Sequence, residues 1–427
     1  MEKLFGLRPE SKLSAQEMSF GNGMQDFNQQ YNSDLKCTLT VCSAQAQKPV
    51  VIVPDKDADG LSSGAILHHT LTTLGLSPNL ISICFPPKGS SVHDEVTRKA
   101  ISEKTPAYVF VLDQGSRKTV PLIDAPHTGL IIDHHFAEEG GFPQNAEYVT
   151  AHDCPPVATS ALLTYDICLP LHSDLNEKIS WLAALGTHGD LGTTLKWQPP
   201  FPDMTATFKQ HSKKAINDAV SRVNAPRRSA AFNVEDAWNA VVSASSPEAI
   251  SKDEKLLDAQ AEVRMETERW ARVPPKFSKD ATIAVLTISS AAQIHPLIAT
   301  RWAGFLQSNK LEVVMCANEG YLPGMVNFSC RVAKGMRARD GEEKIDIIKK
   351  LEGIVAHDPE LRARLGESFA RGHKEASGGI VKKAEWDELW KLMGVGENAR
   401  KKADASGKKD AKPTQKNTLT NYFAKAS

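Results

Sequence analysis

The chain has 427 residues, carries 51 Lys and Arg against 51 Asp and Glu, and is 41% apolar and 24% charged. That length and balance allow two or three globular domains and exclude a collagen, a coiled coil or a wholly disordered chain. No stretch approaches the roughly eighteen uninterrupted apolar residues of a membrane span, and the start Met1-Glu2-Lys3-Leu4-Phe5 lacks a basic segment ahead of a long apolar run. The expectation is therefore a chain without membrane span or secretory signal, in the cytosol or nucleus; the basic tail pairs Lys401-Lys402 and Lys408-Lys409 favour the nucleus, with the cytoplasm as a further location.

Seven cysteines (Cys37, Cys42, Cys84, Cys154, Cys168, Cys316, Cys330) are odd in number, scattered and never two residues apart. Such spacing argues against a disulfide framework or a zinc ribbon and for reduced, mostly buried thiols. The even charge balance hides an asymmetry. Residues 400–427 hold eight basic residues against Asp404 and Asp410, which leaves the remainder of the chain net acidic.

Residues 1–46 are polar without a persistent period and read as an irregular lead-in. From Pro49 short apolar runs each end in an acid: Val50–Val53 before Asp55, Tyr108–Leu112 before Asp113, and Leu130–Ile132 before Asp133. Continuous β-branched runs of this length fit strands buried on both faces of a parallel sheet. Helix-like segments at Ser63–Leu74 and Val92–Glu103 alternate with them, which predicts βαβ units. Ligands of such sheets bind beyond the carboxyl ends of the strands, where Asp55, Asp57, Asp59, Asp113 and Asp133 emerge. After Asp190 and a Pro-rich turn, mainly helical sequence follows, with a long charged helix over Asp253–Trp270 closed by Pro274-Pro275. Strand-like runs resume at Ile283–Leu286, Val313–Cys316 and Met325–Phe328, interleaved with helices at Pro296–Leu306 and Ile345–Ile354.

Asp55-Lys56-Asp57-Ala58-Asp59-Gly60 begins like a calcium loop, but Ile66 stands where the twelfth-position glutamate is needed, and a strand precedes it. Asp133-His134-His135, Asp113 and Gly186-Thr187-His188-Gly189-Asp190 supply further candidates for the same strand-end pocket. Crowded carboxylates repel unless a cation neutralises them. Oxygen and imidazole donors without thiolate suit manganese or magnesium.

Asp55-x-Asp57-x-Asp59-Gly60, Asp113, Asp133-His134-His135 and Asp190, in chain order, resemble the four motifs of the DHH phosphoesterases. Within that family the chain is most similar to RecJ-type nucleases, because Asn224-Ala225-Pro226-Arg227-Arg228 resembles their Asn-Ala-Ala-Gly-Arg segment, with Pro226 and Arg227 as departures. The later strands resemble the family's substrate-binding module, DHHA1. Its Gly-Gly-His-x-x-Ala-x-Gly loop reads here Arg371-Gly372-His373-Lys374-Glu375-Ala376-Ser377-Gly378, and Ser329-Cys330-Arg331 resembles its phosphate-binding strand.

The resemblance implies an α/β fold: a parallel-sheet DHH domain joined by a helical connector to a smaller α/β DHHA1-like domain. The expected boundaries are a lead-in over 1–46, the DHH domain over 47–195, the connector over 196–278, the DHHA1-like domain over 279–393 and a disordered basic tail over 394–427. It also implies two divalent ions, manganese preferred and magnesium the alternative, held by Asp55, Asp57, Asp59, Asp113, His134 and Asp190, with Asp113 between the ions. His135 is implied to contact the scissile phosphate or assist the leaving group. Arg228, Arg331, Arg371, Gly372, His373 and Gly378 are implied to bind substrate. His68, His69 and His188 read instead as structural, while His93, on the loop after the second strand, is a further candidate phosphate contact.

Near the end, Lys416-Asn417-Thr418-Leu419-Thr420-Asn421-Tyr422-Phe423 resembles a sliding-clamp binding peptide, with Gln415 one residue out of register. One helical turn puts Leu419, Tyr422 and Phe423 together as a plug for a groove on proliferating cell nuclear antigen. The activity expected is exonucleolytic hydrolysis of single-stranded DNA or RNA in replication or repair. Two alternatives stay open: an oligoribonuclease or a cyclic dinucleotide or polyphosphate hydrolase of the same family, and a non-catalytic RecJ-like replication scaffold.

Overall fold

The computed structural model describes residues 44–152, 158–192, 194–306, 308–338 and 344–397. Cys37, Cys42, Cys154, the basic tail and its Leu419, Tyr422 and Phe423 lie outside them. The described residues divide into two compact units. The first runs to Asn224 and takes up Val234–Leu257, and the second comprises Ala225–Asn233 and the residues from Asp258 onward.

The first unit is built on five parallel strands: β1 Val50–Pro54, β2 Ile81–Ile83, β3 Tyr108–Leu112, β4 Thr128–Asp133 and β5 Ala146–Thr150. Their order is β2-β1-β3-β4-β5. Every residue of β1 and β3 is buried, as the unbroken apolar runs require. Each fully buried Val or Ile side chain there contributes on the order of 1.5–3 kcal/mol. The chain leaves β1 toward β2 on one side and returns to β3 on the other, so the sheet reverses direction between β1 and β3. A crevice opens at such a reversal, beyond the strands' carboxyl ends.

Four helices pack on this sheet and on one another: α1 Ala58–Thr73, α2 Glu95–Ser102, α3 Ser160–Cys168 and α4 Leu175–Leu191. Helix α1 starts five residues earlier than apolar periodicity predicts, because Asp57 caps it, accepting from the Asp59 and Gly60 amides. A β-carbon on Gly60 would sit 2.6 Å from the Asp55 carbonyl oxygen, so only glycine lets the chain turn from strand to helix so tightly. The remaining helices of the connecting region are α5 Thr205–Gln210, α6 Lys213–Val223, α7 Val234–Ser243, α8 Pro247–Ile250 and α9 Glu254–Trp270.

The second unit carries a mixed sheet of order β10-β11-β9-β8-β7-β6. Its strands are β6 Lys276–Phe277, β7 Ile283–Ile288, β8 Val313–Asn318, β9 Met325–Val332, β10 Arg371–His373 and β11 Ala376–Lys382. Only β7 and β8 are parallel, and the other neighbours run antiparallel. Helix α10 His295–Phe305 covers one face with Ile298 and Trp302 against Leu286, Val314 and Cys316. Helices α11 Ile347–Val355, α12 Pro359–Leu365 and α13 Lys383–Leu392 cover the other, where Trp386 meets Phe328.

Cys84, Cys168, Cys316 and Cys330 are buried and free, as their spacing predicts. No helix among the described residues is long and apolar enough to cross a membrane.

Candidate metal centre

Asp55 follows β1, Asp113 follows β3 and Asp133 closes β4, so the three flank the crevice. The other acids arrive from helices: Asp57 as the N-cap of α1, Asp59 in its first turn and Asp190 in the last turn of α4. Carboxylate oxygens of Asp55, Asp57 and Asp113 lie within 4.8 Å of one another. A second triad, Asp113, His134 and His135, meets the same limit. Asp113 belongs to both. Its backbone has φ +61°, a left-handed conformation that an L side chain other than Asn or Asp seldom adopts.

Asp59 is almost completely buried. Its two oxygens accept from the amides of Ser160 and Ala161, the first residues of α3, each at 2.9 Å. The Ser160 hydroxyl donates to Asp113 over 3.0 Å. A helix amino terminus thus anchors one acid and its first hydroxyl orients the next. Sequence reasoning marks neither Ser160 nor Ala161. The signal that could have found them is Thr159, an N-cap ahead of the apolar run Ala161-Leu162-Leu163, whose side chain accepts from the Leu162 amide.

Burial raises the Asp113 carboxyl well above its ordinary range, and Asp59, Asp57, Asp55 and Asp133 push in the same direction. Burial, followed by the charge of Asp190, carries Asp59 up to about 8, although the Ala161 and Ser160 amides work against the rise. Burial lowers the His134 imidazole, so it is neutral. Both His134 nitrogens are buried without a hydrogen-bond partner. Its Nε2 nonetheless lies 3.3 Å from Asp113, 3.6 Å from Asp190 and 3.8 Å from Asp59, close to three carboxylates without the angles of a hydrogen bond. A neutral ring nitrogen aimed among crowded acids is the donor arrangement a divalent cation satisfies, and the residues fit such an ion.

His135 is different. Burial works to lower its imidazole, but its pairing with Asp133 prevails and carries it to about 9. Its Nδ1 is 2.8 Å from the Asp133 carboxylate. The carboxylate also accepts from the amides of His135 and Ser116, and these bonds overcome burial to hold it below the usual carboxylate range. Asp133 therefore positions and charges His135 rather than joining the triads. The His135 side chain is 48% exposed, and its bond to Asp133 is made through Nδ1.

His188 stacks on Phe208 and pairs through Nδ1 with Asn217 at 2.9 Å, the structural role its position predicts. His68 and His69 lie mid-helix on α1. His93 pairs with the Thr119 hydroxyl at 3.1 Å. Asn224, the last residue of the first unit before it re-enters at Val234, accepts from the Ala58 amide through its side chain at 3.3 Å.

The substrate-binding candidates fall in the second unit. Arg228 ends a 3₁₀ turn over Pro226–Arg228, and its carbonyl accepts from the Gln293 amide. The glycine-rich segment predicted as a loop is instead the hairpin β10–β11. Arg371 pairs with Gly378 and His373 with Ala376, while Gly378 and Ala376 pair with Ser329 and Arg331 of β9. Directly paired residues share a sheet face, so Arg331, Ser329, Arg371 and His373 line up on one side. The Arg331 guanidinium donates to the Ser329 hydroxyl and the Cys330 carbonyl, both at 2.8 Å. Gly378 is there because strand β9 comes close. A β-carbon would lie 2.3 Å from the Phe328 carbonyl oxygen. At Gly372 the need is φ +109°.

The model of the DHH family, N-terminal domain, matches residues 49–187. This domain belongs to the DHH family. Members of the family are metal-dependent phosphoesterases, and residues 49–187 carry the fold together with clustered acids that could bind metal. No curated protein matches the chain. Among solved structures, RecJ in complex with Mn2+ from Thermus thermophilus superimposes with TM-score 0.60 at 19% identity. The alignment covers 89% of this chain, which spans only 55% of that protein. An exonuclease RecJ bound to manganese gives 0.58 at 18% identity over 91% of this chain and 97% of its own. The DHH domain of a member of a ribosomal protein family gives 0.59 at 11% identity, over 86% and 90%. These likenesses establish the RecJ-like fold.

Proposed function

We propose that this chain is a metal-dependent phosphodiesterase that hydrolyses single-stranded nucleic acid from an end. The observation that carries this reading is the Asp55, Asp57 and Asp113 donor triad at the reversal of the sheet, with the His134 Nε2 3.3 Å from the same Asp113. Asp55, Asp57 and Asp113 would hold one divalent ion, and Asp113 with His134 the second, with Asp59 and Asp190 completing the donor set. Two such ions lower the pKa of water and neutralise charge at a phosphoryl centre. His135, kept protonated by Asp133, would present Nε2–H to a phosphate or leaving oxygen. The aligned Arg331, Ser329, Arg371 and His373, with Gly372, Gly378 and Arg228, would bind the phosphates of the strand.

Manganese is the preferred ion in this reading, because imidazole shares the donor set, and the RecJ structures bound to manganese agree with it. The nuclear role in DNA repair, and clamp binding by Leu419, Tyr422 and Phe423, rest on the sequence alone. A second reading is hydrolysis of short oligonucleotides or small phosphodiesters, the alternative that the resemblance leaves open.

The test is manganese-dependent digestion of end-labelled DNA and RNA strands of graded length, with His134→Ala and Asp113→Asn as controls. Shortening of long strands from one end, absent in both variants, supports the first reading. Cleavage limited to a few nucleotides selects the second, and an inert protein overturns both.

A further inference from the structure

The most exposed large apolar side chain among the described residues is Phe136, 72% exposed, immediately after Asp133-His134-His135. Loose backbone does not account for it. Asp133 and His134 on one side are buried, and Ala137 on the other packs into the core with Val109, Val111, Ile131 and Phe142. The ring is thus held in water by a pinned segment.

It also has a buttress. The His152 ring stands perpendicular to Phe136, with centroids 5.6 Å apart and planes 88° to each other. His152 is itself tied at Nδ1 to the Thr150 hydroxyl at 3.2 Å. Thr150 pairs with Asp133 in the β4–β5 register, so both aromatic side chains rise from the same end of the same strand pair as the His135 imidazole. A perpendicular partner fixes a ring through one contact, and the 72% exposure of Phe136 leaves the rest of the ring open to a ligand.

An apolar ring face beside a phosphate-handling centre fits one part of a nucleic acid, the face of a base. Every base offers such a face, so stacking tolerates any sequence. We propose that Phe136 is a stacking platform for a nucleobase at the lip of the metal centre. It would make the site selective for nucleotides over base-free phosphoesters. This rests on the phosphodiesterase reading for its chemistry, but it is testable without turnover.

The full chain and its Phe136→Ala and Phe136→Trp variants are titrated into fluorescently labelled single strands in EDTA, where metal-dependent cleavage is absent, and anisotropy is followed. One set of strands is intact, and the other carries an abasic residue at either end. Stacking on one base corresponds to about 5- to 150-fold in affinity. Phe136→Ala should weaken binding of the intact strand by that factor and leave one abasic strand unchanged, while Phe136→Trp keeps wild-type affinity. The exposed position makes an unchanged melting temperature the expected control. Equal affinity of wild type and Phe136→Ala for the intact strand overturns the proposal, as does an equal loss on intact and abasic strands. A parallel manganese assay separates the two readings. Base-dependent binding with no cleavage sinks the phosphodiesterase reading and leaves the platform standing.

Discussion

Two glycines in helix interiors offer the same substitution with opposite expected signs. On α4, a β-carbon at Gly186 would lie 2.4 Å from the Ala161 β-carbon and 2.8 Å from Asp59 Oδ1, whereas at Gly353 on α11 nothing lies within 4 Å. Each Gly→Ala change gains about 1 kcal/mol of helix propensity. At Gly353 that gain stands alone, so Gly353→Ala should stabilise the protein by up to about 1 kcal/mol. At Gly186 neither neighbour yields easily, because Ala161 sits in the first turn of α3 and its amide holds Asp59.

Carbon atoms rest about 3.5–4.0 Å apart, so α4 must move from α3 by more than about 1 Å. Overpacking of this kind costs about 1–3 kcal/mol, enough to cancel the propensity gain and leave a net loss of up to about 2 kcal/mol. The displacement also reaches the metal centre. Asp190, one turn beyond Gly186, lies 3.6 Å from His134, and a misplacement of about 1 Å in a catalytic constellation costs on the order of 100-fold in rate. Urea denaturation and manganese-dependent turnover of both variants make the comparison. If Gly186→Ala stabilises the protein as Gly353→Ala does and leaves turnover intact, the close approach of α4 to α3 and Asp59 does not constrain the site.

Manganese should raise the melting temperature of the wild-type chain, since an ion at a hundredfold excess over its dissociation constant adds about 2.7 kcal/mol. EDTA should reverse the shift, and calorimetry should find it lost in His134→Ala. Burial pushes the Asp166 carboxyl up to about 7, above the unfolded value near 3.9, so the folded state binds the proton more tightly and stability falls as pH rises between those values. Asp166→Asn should therefore be more stable than wild type at pH 8, by a fraction of about 4 kcal/mol, and show no advantage at pH 4; a constant gap across pH would show that burial of charge is not the cause. Arg331→Ala should weaken binding of single strands and reduce the salt dependence of binding by about one phosphate contact, and Arg331→Lys should not restore it, because lysine lacks the guanidinium fork.

Much of the first sheet was legible because β1 and β3 are buried on both faces, which leaves an unbroken apolar run and an acid at its end. The candidate site was legible for the same reason, since strand ends of a parallel sheet converge. What stayed hidden depends on contacts between distant residues. Ser160 and Ala161 meet Asp59 across about a hundred residues, and Gly186 matters only because α3 lies beside it. Asp57 carries two messages, ligand and helix cap, and only the first is readable from its spacing. The hairpin β10–β11 looks like a loop in sequence because glycine enrichment marks both an open turn and the close approach of a neighbouring strand.

The left-handed backbone at Asp113 narrows what evolution can do with this position. A carboxylate is wanted there by the chemistry and a short polar side chain or glycine by the chain path, so the residue is selected twice. A descendant that gave up hydrolysis would be released from the first demand but not the second. It should then drift to Asn or Gly, the residues that hold a positive φ most readily.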